Sequence, residues 1–311
     1  MKIVCGVDIS KAGLDVCVWP GGAFQRFDRT VSGVDALAGF CRQHGVDLVV
    51  MEATGGLERL VVGVLNTAGF GSSVVNPGRV RDYARAMGIT EKTDRIDAAV
   101  IARFALAANL RATPAQMENQ RRLNALVVRL RQLTADLIVQ KQRLSAVEDA
   151  ESIGSLRAVI AFLKQHSRMI EGEIASLIDD DPVWAKLAET FGAIKGIAGR
   201  TIARLMAELP EIGLYSNKAI AKLAGLAPIA NDSGARHGKR SIRGGRCNVR
   251  SILFLVAGIV AKYDERLKDF HQRLSKAGKP KMVIRIALAH KLLVWLNAKA
   301  REARAEMTTA T

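Results

Sequence analysis

The stretch Lys92-Thr93-Asp94-Arg95-Ile96-Asp97-Ala98 constrains this chain more than any other. Thr93 is a natural N-cap, so both aspartates fall in the first turn of a helix, and at that spacing they leave the same face. Like charges held together cost free energy unless a cation lies between them. Two further acids are placed to join them. Asp8 closes the apolar run Ile3-Val4-Cys5-Gly6-Val7, and Glu52 closes Asp47-Leu48-Val49-Val50-Met51. Buried strands ending in carboxylates, with a helix presenting two more, make a cage of hard oxygen donors suited to Mg²⁺ or Mn²⁺. Taken singly, each acid has a plainer reading: Asp8 as a strand-end cap, Glu52 as a solvated turn residue, Asp94 as a partner of the helix dipole. Jointly they fall at element ends that one topology gathers.

That topology follows from the order of elements. Residues 2–8, 14–19 and 24–29 predict a three-stranded meander, with a tight turn at Pro20-Gly21-Gly22. A helix capped by Ser32 and running to about His44 comes next, followed by a strand over 48–51. A helix over 57–68 stopped by Gly69, a strand over 73–75, a helical stretch to Met87 and the helix 94–108 complete the set. A meander passing into right-handed βα crossovers is the layout of a ribonuclease-H-like domain. Its mixed sheet sets the first and fourth strands side by side, and with them Asp8 and Glu52.

The pattern changes after Pro114. Leu123, Leu126, Leu130, Leu133, Leu137, Leu144 and Val147 follow a heptad, with Gln140 at one of its core positions. A soft break at Ile153-Gly154 leads to a second amphipathic stretch, Leu156 to Leu177, which Asp179-Asp180-Asp181-Pro182 ends. The pair reads as a coiled coil or helical hairpin and as a dimerisation arm; a hairpin packed on its own chain is the alternative. Beyond it, Ile194-Lys195-Gly196-Ile197-Ala198-Gly199-Arg200 resembles a helix-hairpin-helix, whose backbone N–H groups grip phosphates. A helix over 217–226, a buried helix over 249–262 and an amphipathic tail helix from Lys281 fill the remainder.

Between the first two of these lies a loop with Ser233 flanked by Asp232 and Gly234, followed by a cationic run of Arg236, Lys239, Arg240, Arg243, Arg246 and Arg250. A serine before glycine is ordinarily a turn, and its hydroxyl needs a base or a metal to act as a nucleophile. Ser241 and Ser251 are nearly as eligible on local sequence. The basic run suits a polyanion and would stabilise charge developing on phosphorus. The net charge of +16 over 311 residues points the same way, to nucleic acid. Cys5, Cys17, Cys41 and Cys247 lack metal-binding spacing and read as core thiols of a reducing compartment. No signal peptide or membrane-spanning run is seen, so the expectation is a cytoplasmic, nucleoid-associated protein without a membrane partner.

Four motifs, in order, carry a resemblance: Gly6-Val7-Asp8-Ile9-Ser10-Lys11, Met51-Glu52-Ala53-Thr54-Gly55, Lys92 to Ala98, and Gly225-Leu226-Ala227-Pro228 with Asp232-Ser233-Gly234. The chain resembles the DEDD insertion-sequence transposases, the bridge-RNA-guided recombinases related to Piv-type DNA invertases, over nearly its whole length. The resemblance implies an α/β plus α protein. Its parts would be a RuvC/ribonuclease-H-like metal-binding domain at 1–112, a coiled-coil linker at 113–182, and a mostly α-helical transposase domain at 183–311. It implies Asp8, Glu52, Asp94 and Asp97 as ligands of Mg²⁺ or Mn²⁺ and Ser233 as a nucleophile that becomes linked to DNA through phosphate. It further implies nucleic-acid contacts from Lys195, Arg200 and the cationic run, donor and target DNA and a structured bridge RNA as partners, and homodimers that assemble into a tetramer. Arg243 departs from the lysine common in the family.

Delegating sequence choice to base pairing fits a chain with strong charge and only 5% aromatic residues, since such a protein needs mainly backbone contacts. Two rival readings stay open: a metal-dependent junction nuclease using water, and a non-catalytic nucleic-acid-binding scaffold. An actin-like sugar or acetate kinase is disfavoured, because no duplicated half with a second glycine-rich phosphate loop is present.

Overall fold

A computed structural model describes residues 2–114, 117–234 and 238–309, which form two compact units, 1–116 and 117–311. In the first unit, β1 (Val4–Ile9), β2 (Gly13–Trp19) and β3 (Phe24–Asp28) form an antiparallel meander. It is followed by α1 (Val31–Gln43), β4 (Leu48–Glu52), α2 (Glu58–Thr67), β5 (Ser72–Val75), α3 (Pro77–Ala86) and α4 (Asp94–Ala107). The sheet order is β3-β2-β1-β4-β5, with β4 parallel to both β1 and β5. This is the ribonuclease-H-like arrangement expected from the order of elements.

Strand alternation divides the core into two layers. Cys5, Val7, Val49 and Met51 pack with Leu37 and Cys41 of α1 and Val61 and Leu65 of α2. Val4, Leu48 and Val50 pack with Val80 of α3 and with Ile101 and Phe104 of α4. The cap of α1 is Thr30, not Ser32: the Thr30 hydroxyl accepts the Gly33 N–H at 3.1 Å, and the helix starts one residue before the expected cap. Thr93 caps α4 as expected, accepting the Ile96 N–H at 3.2 Å.

The second unit is helical. It comprises α5 (Glu118–Leu144), α6 (Ala150–Asp179), α7 (Pro182–Gly192), α8 (Gly199–Glu208), α9 (Asn217–Leu223), α10 (Cys247–Val260), α11 (Glu265–Lys276) and α12 (Lys281–Thr309). The hairpin bend lies at 145–149, ahead of the expected break. Asp149 caps α6 by accepting the Ser152 N–H at 2.8 Å, so Gly154 is carried inside the helix and Val147 falls outside it. Leu123, Val127 and Leu130 of α5 and Ile174 and Ile178 of α6 join one core with Phe191, Leu205, Leu253 and Leu292. Nearer the bend, Ile138, Val139, Val159 and Phe162 are exposed. Helix α11 lies beyond the helices expected from sequence, although Leu267, Phe270 and Leu274 repeat at helical spacing and pack on the core.

Between α9 and α10 the chain makes a loop pinched at its base. The Arg246 N–H donates to the Leu223 carbonyl at 2.8 Å. Gly225 and Gly245, both at positive φ, approach so closely that a methyl on Gly245 would collide with the Gly225 backbone. Further out, the Ile229 N–H donates to the Ser241 carbonyl at 2.8 Å. Ser233 lies beyond this neck.

Candidate active site and nucleic-acid interface

Asp8 lies one residue before the end of β1, and Glu52 ends the adjacent parallel strand β4. Their register sets Val7 beside Met51, so the two carboxylates follow at the same level. Helix α4 crosses directly over β1 because Gly6 has no side chain. A methyl there would strike the Ala98 carbonyl and come within 2.6 Å of the Ala102 nitrogen. Two cation–π contacts fasten the helix further: Arg95 lies over Phe24 and Arg103 over Trp19, each 5.3 Å from the ring centroid. Arg95 sits between the two aspartates in sequence yet turns to the β3 aromatic. The first turn of α4 thus brings Asp94 and Asp97 to the strand ends.

All four acids line one cavity of about 470 Å³. Their electrostatics are those of crowded, partly desolvated anions. Burial pushes the Asp8 carboxyl up, and the Asp97 and Asp94 carboxylates push it further. Burial also raises Glu52, with Asp8 and Asp97 adding to it, while Arg81 and Lys92 pull it down. Asp97 is raised by burial and held back by Lys92. No cysteine or histidine lines this cavity among the described residues, so the donor set is hard oxygen and fits Mg²⁺ or Mn²⁺ by chemistry. Among the described residues no group of three or more His, Cys, Asp or Glu side chains is drawn tightly enough to hold an ion as it stands.

Two residues beside these acids went unnoticed in the sequence. Asp15 pairs across the strands with Asp8 and is 4% exposed. Arg26 of β3 reaches both Asp15, at 3.5 Å, and Asp94, at 3.9 Å. The signal was present in strand parity, since Asp8, Asp15 and Arg26 share one face once the meander is aligned.

In the helical unit, Ser233 is exposed. Its neighbour Asp232 accepts the Gly238 N–H at 3.1 Å and pairs with Arg240 at 2.8 Å. The expected nucleic-acid contacts fall into distinct groups. Lys239 and Arg243 are exposed, whereas Arg236 lies outside the described residues. Arg246 is committed internally: its guanidinium donates to both Glu211 oxygens at 2.5 and 2.6 Å and to the Glu208 carbonyl at 3.0 Å. Arg250 donates to the Gly244 carbonyl at 2.7 Å and, at 3.4 Å, to that of Gly225, closing the pinch. Lys195 and Gly196, the latter at positive φ, sit in the turn between α7 and α8, with the Lys195 ammonium over the Tyr263 ring. Arg200, in the first turn of α8, is paired with Glu171.

Comparison with known proteins gives two family matches. Residues 5–149 match a model described as a DEDD transposase of the IS110 type, and residues 188–272 match one described as Transposase IS116/IS110/IS902 family. The two matches together take in most of the chain. The chain is 28% identical to the pilin gene-inverting protein of Moraxella lacunata, over 97% of both chains. It is 26% identical to an insertion element IS110 protein of Streptomyces coelicolor, over 48% of this chain and 36% of that one. Among solved structures, T. thermophilus RuvC in complex with a Holliday junction substrate aligns with 36% of this chain and 99% of its own, at 14% identity and a TM-score of 0.29.

Proposed function

The chain belongs to the IS110-type transposase family, and from that premise we propose that it is an RNA-guided DNA recombinase in which Ser233 attacks a DNA phosphodiester. The observation that carries the reading is the gathering of Asp8, Glu52, Asp94 and Asp97 around one cavity by β1, β4 and α4. These four carboxylates would hold divalent metal. Such an ion supplies positive charge to the attacking and leaving oxygens of a phosphodiester.

The remaining steps belong to the chain's own residues. The Ser233 oxygen forms a bond to phosphorus as the bond from phosphorus to a sugar oxygen breaks. The hydroxyl proton leaves the serine, and the departing sugar oxygen takes one up. Reversal with a different strand's hydroxyl frees the serine and restores the backbone without hydrolysis. Arg240, Arg243 and Lys239 bind the flanking phosphates, with Arg236 where the sequence places it. The turn between α7 and α8, with Lys195 and Arg200, supports the backbone at a second point. A structured RNA chooses the DNA sequences by pairing, and the α5–α6 hairpin joins protomers into dimers that assemble as a tetramer. The three functional blocks of this reading are 1–112, 113–182 and 183–311.

Ser233→Ala tests the central step. The variant is expected to yield no protein–DNA adduct on denaturing gels and to lose strand exchange by at least about 10³-fold, the scale at which a removed nucleophile acts. Cleavage by Ser233→Ala at the wild-type rate, releasing unattached ends, would instead make water the nucleophile and the protein a junction nuclease.

A further inference from the structure

The acid-lined cavity is also lined by side chains of opposite sign. Arg81 and Arg85 lie one turn apart on α3, and Lys92 precedes the cap of α4. All three line the cavity that holds Asp8, Glu52 and Asp97. None of the three belongs to the cationic run of the helical unit or to its hairpin turn.

Cations near an acid cluster are ordinarily its counter-ions. Arg81, Arg85 and Lys92 are exposed, and pairing between exposed charges is worth only about 0–1 kcal/mol, so little holds them to the acids when another anion arrives. Among the described residues neither Arg81 nor Lys92 forms an ion pair within 4.0 Å, and Arg85 pairs only with Asp82 on its own helix, at 3.6 Å. Yet Arg81 and Lys92 are near enough to draw down the carboxyls of both Glu52 and Asp97. Basic and acidic side chains therefore line one cavity of about 470 Å³.

A cavity lined by both signs accommodates a ligand that is itself an anion accompanied by a cation. The anion meets the basic side chains and its cation the acidic ones. We propose that Arg81, Arg85 and Lys92 bind the non-bridging oxygens of the DNA phosphodiester presented to the carboxylates. The guanidinium groups suit this because each offers paired N–H donors to two phosphate oxygens. Lys92 adds a point charge from the segment that leads into Asp94. The inference rests on the recombinase reading above and adds to it the residues of the sheet unit that hold substrate.

The test uses the full chain, a fluorescein-labelled DNA duplex and calcium, with anisotropy measured over a range of salt. The double variant Arg81→Gln/Lys92→Gln is expected to bind the duplex about tenfold or more weakly at low salt, and its slope of log affinity against log salt to fall by about two. The charge-keeping pair Arg81→Lys/Lys92→Arg is expected to stay near wild type. Calcium titration without DNA, followed by calorimetry, is expected to show binding to the glutamine variant no weaker than to wild type, since only repulsion of the ion has been removed. Unchanged duplex affinity and unchanged salt slope in the glutamine variant would overturn the proposal, leaving these cations as counter-ions. That failure is distinct from failure of the recombinase reading. A wild-type protein that binds duplex through Arg81 and Lys92 but never exchanges strands would sink the latter alone.

Discussion

Asp8 shows how a single side chain sets the behaviour of its neighbours. Its carboxyl is raised by burial and by Asp97 and Asp94. A carboxyl raised by folding binds its proton more readily in the native state than in the unfolded chain. Stability from this source is therefore greatest at low pH and is lost as pH rises through the ordinary carboxylate range and past the raised value. In chelator at neutral pH, Asp8→Asn is expected to raise the melting temperature by about 1–3 °C, as read by circular dichroism. The gain should shrink as pH is lowered toward about 4, where the unfolded carboxyl protonates. A gain independent of pH would assign the effect to packing instead of charge. The positions of the four acids were legible because each stands at the end of a recognisable element. Arg246 and Arg250 were not legible in the same way. Sequence reports their charge and spacing, but not that Glu211 and the Gly244 and Gly225 carbonyls already hold their guanidinium groups. Arg95 hid its partner likewise: its neighbours suggest an acid, and the fold gives it Phe24.

At the scale of elements, the decisive contact is α4 against β1. Gly6 has no bulk to keep the helix away, and α4 settles where its first turn reaches the strand ends. Gly6→Ala is expected to cost about 1–3 kcal/mol in urea denaturation, as overpacking does. It should also weaken calcium binding measured by calorimetry, because Asp94 and Asp97 ride on the displaced helix. Intact calcium affinity in a destabilised Gly6→Ala protein would mean the acids bind without that approach. The sheet topology could be read from alternating apolar runs and turn residues, which are strong local signals. The bend between α5 and α6 could not be placed so well. Gly154 draws attention as a breaker, whereas Asp149 ends the connection by capping, and a glycine inside a long helix costs only about 1 kcal/mol. Helix α11 escaped for a different reason: Leu267, Phe270 and Leu274 do repeat at helical spacing and pack on the core, but half of its twelve residues are charged.

For the molecule as a whole, the net charge of +16 sits on a chain in which, among the described residues, no helix is long and apolar enough to cross a membrane. Such a charge predicts strong, salt-sensitive association with nucleic acid. Protein purified at low salt without nuclease, from the cells that encode it, is expected to bring down one enriched structured RNA that raised salt releases. Sequencing that RNA is the check, and a heterogeneous pool with no enriched species would count against guidance by RNA. The change in periodicity after Pro114 falls close to the boundary between the two units, 1–116 and 117–311.

The pinch at Gly225 and Gly245 carries a consequence for how such proteins diversify. A segment whose two ends are tied together can grow, shrink or be exchanged between relatives without moving the helices that flank it. The residues at its tip and the architecture at its root are thereby free to change at separate rates.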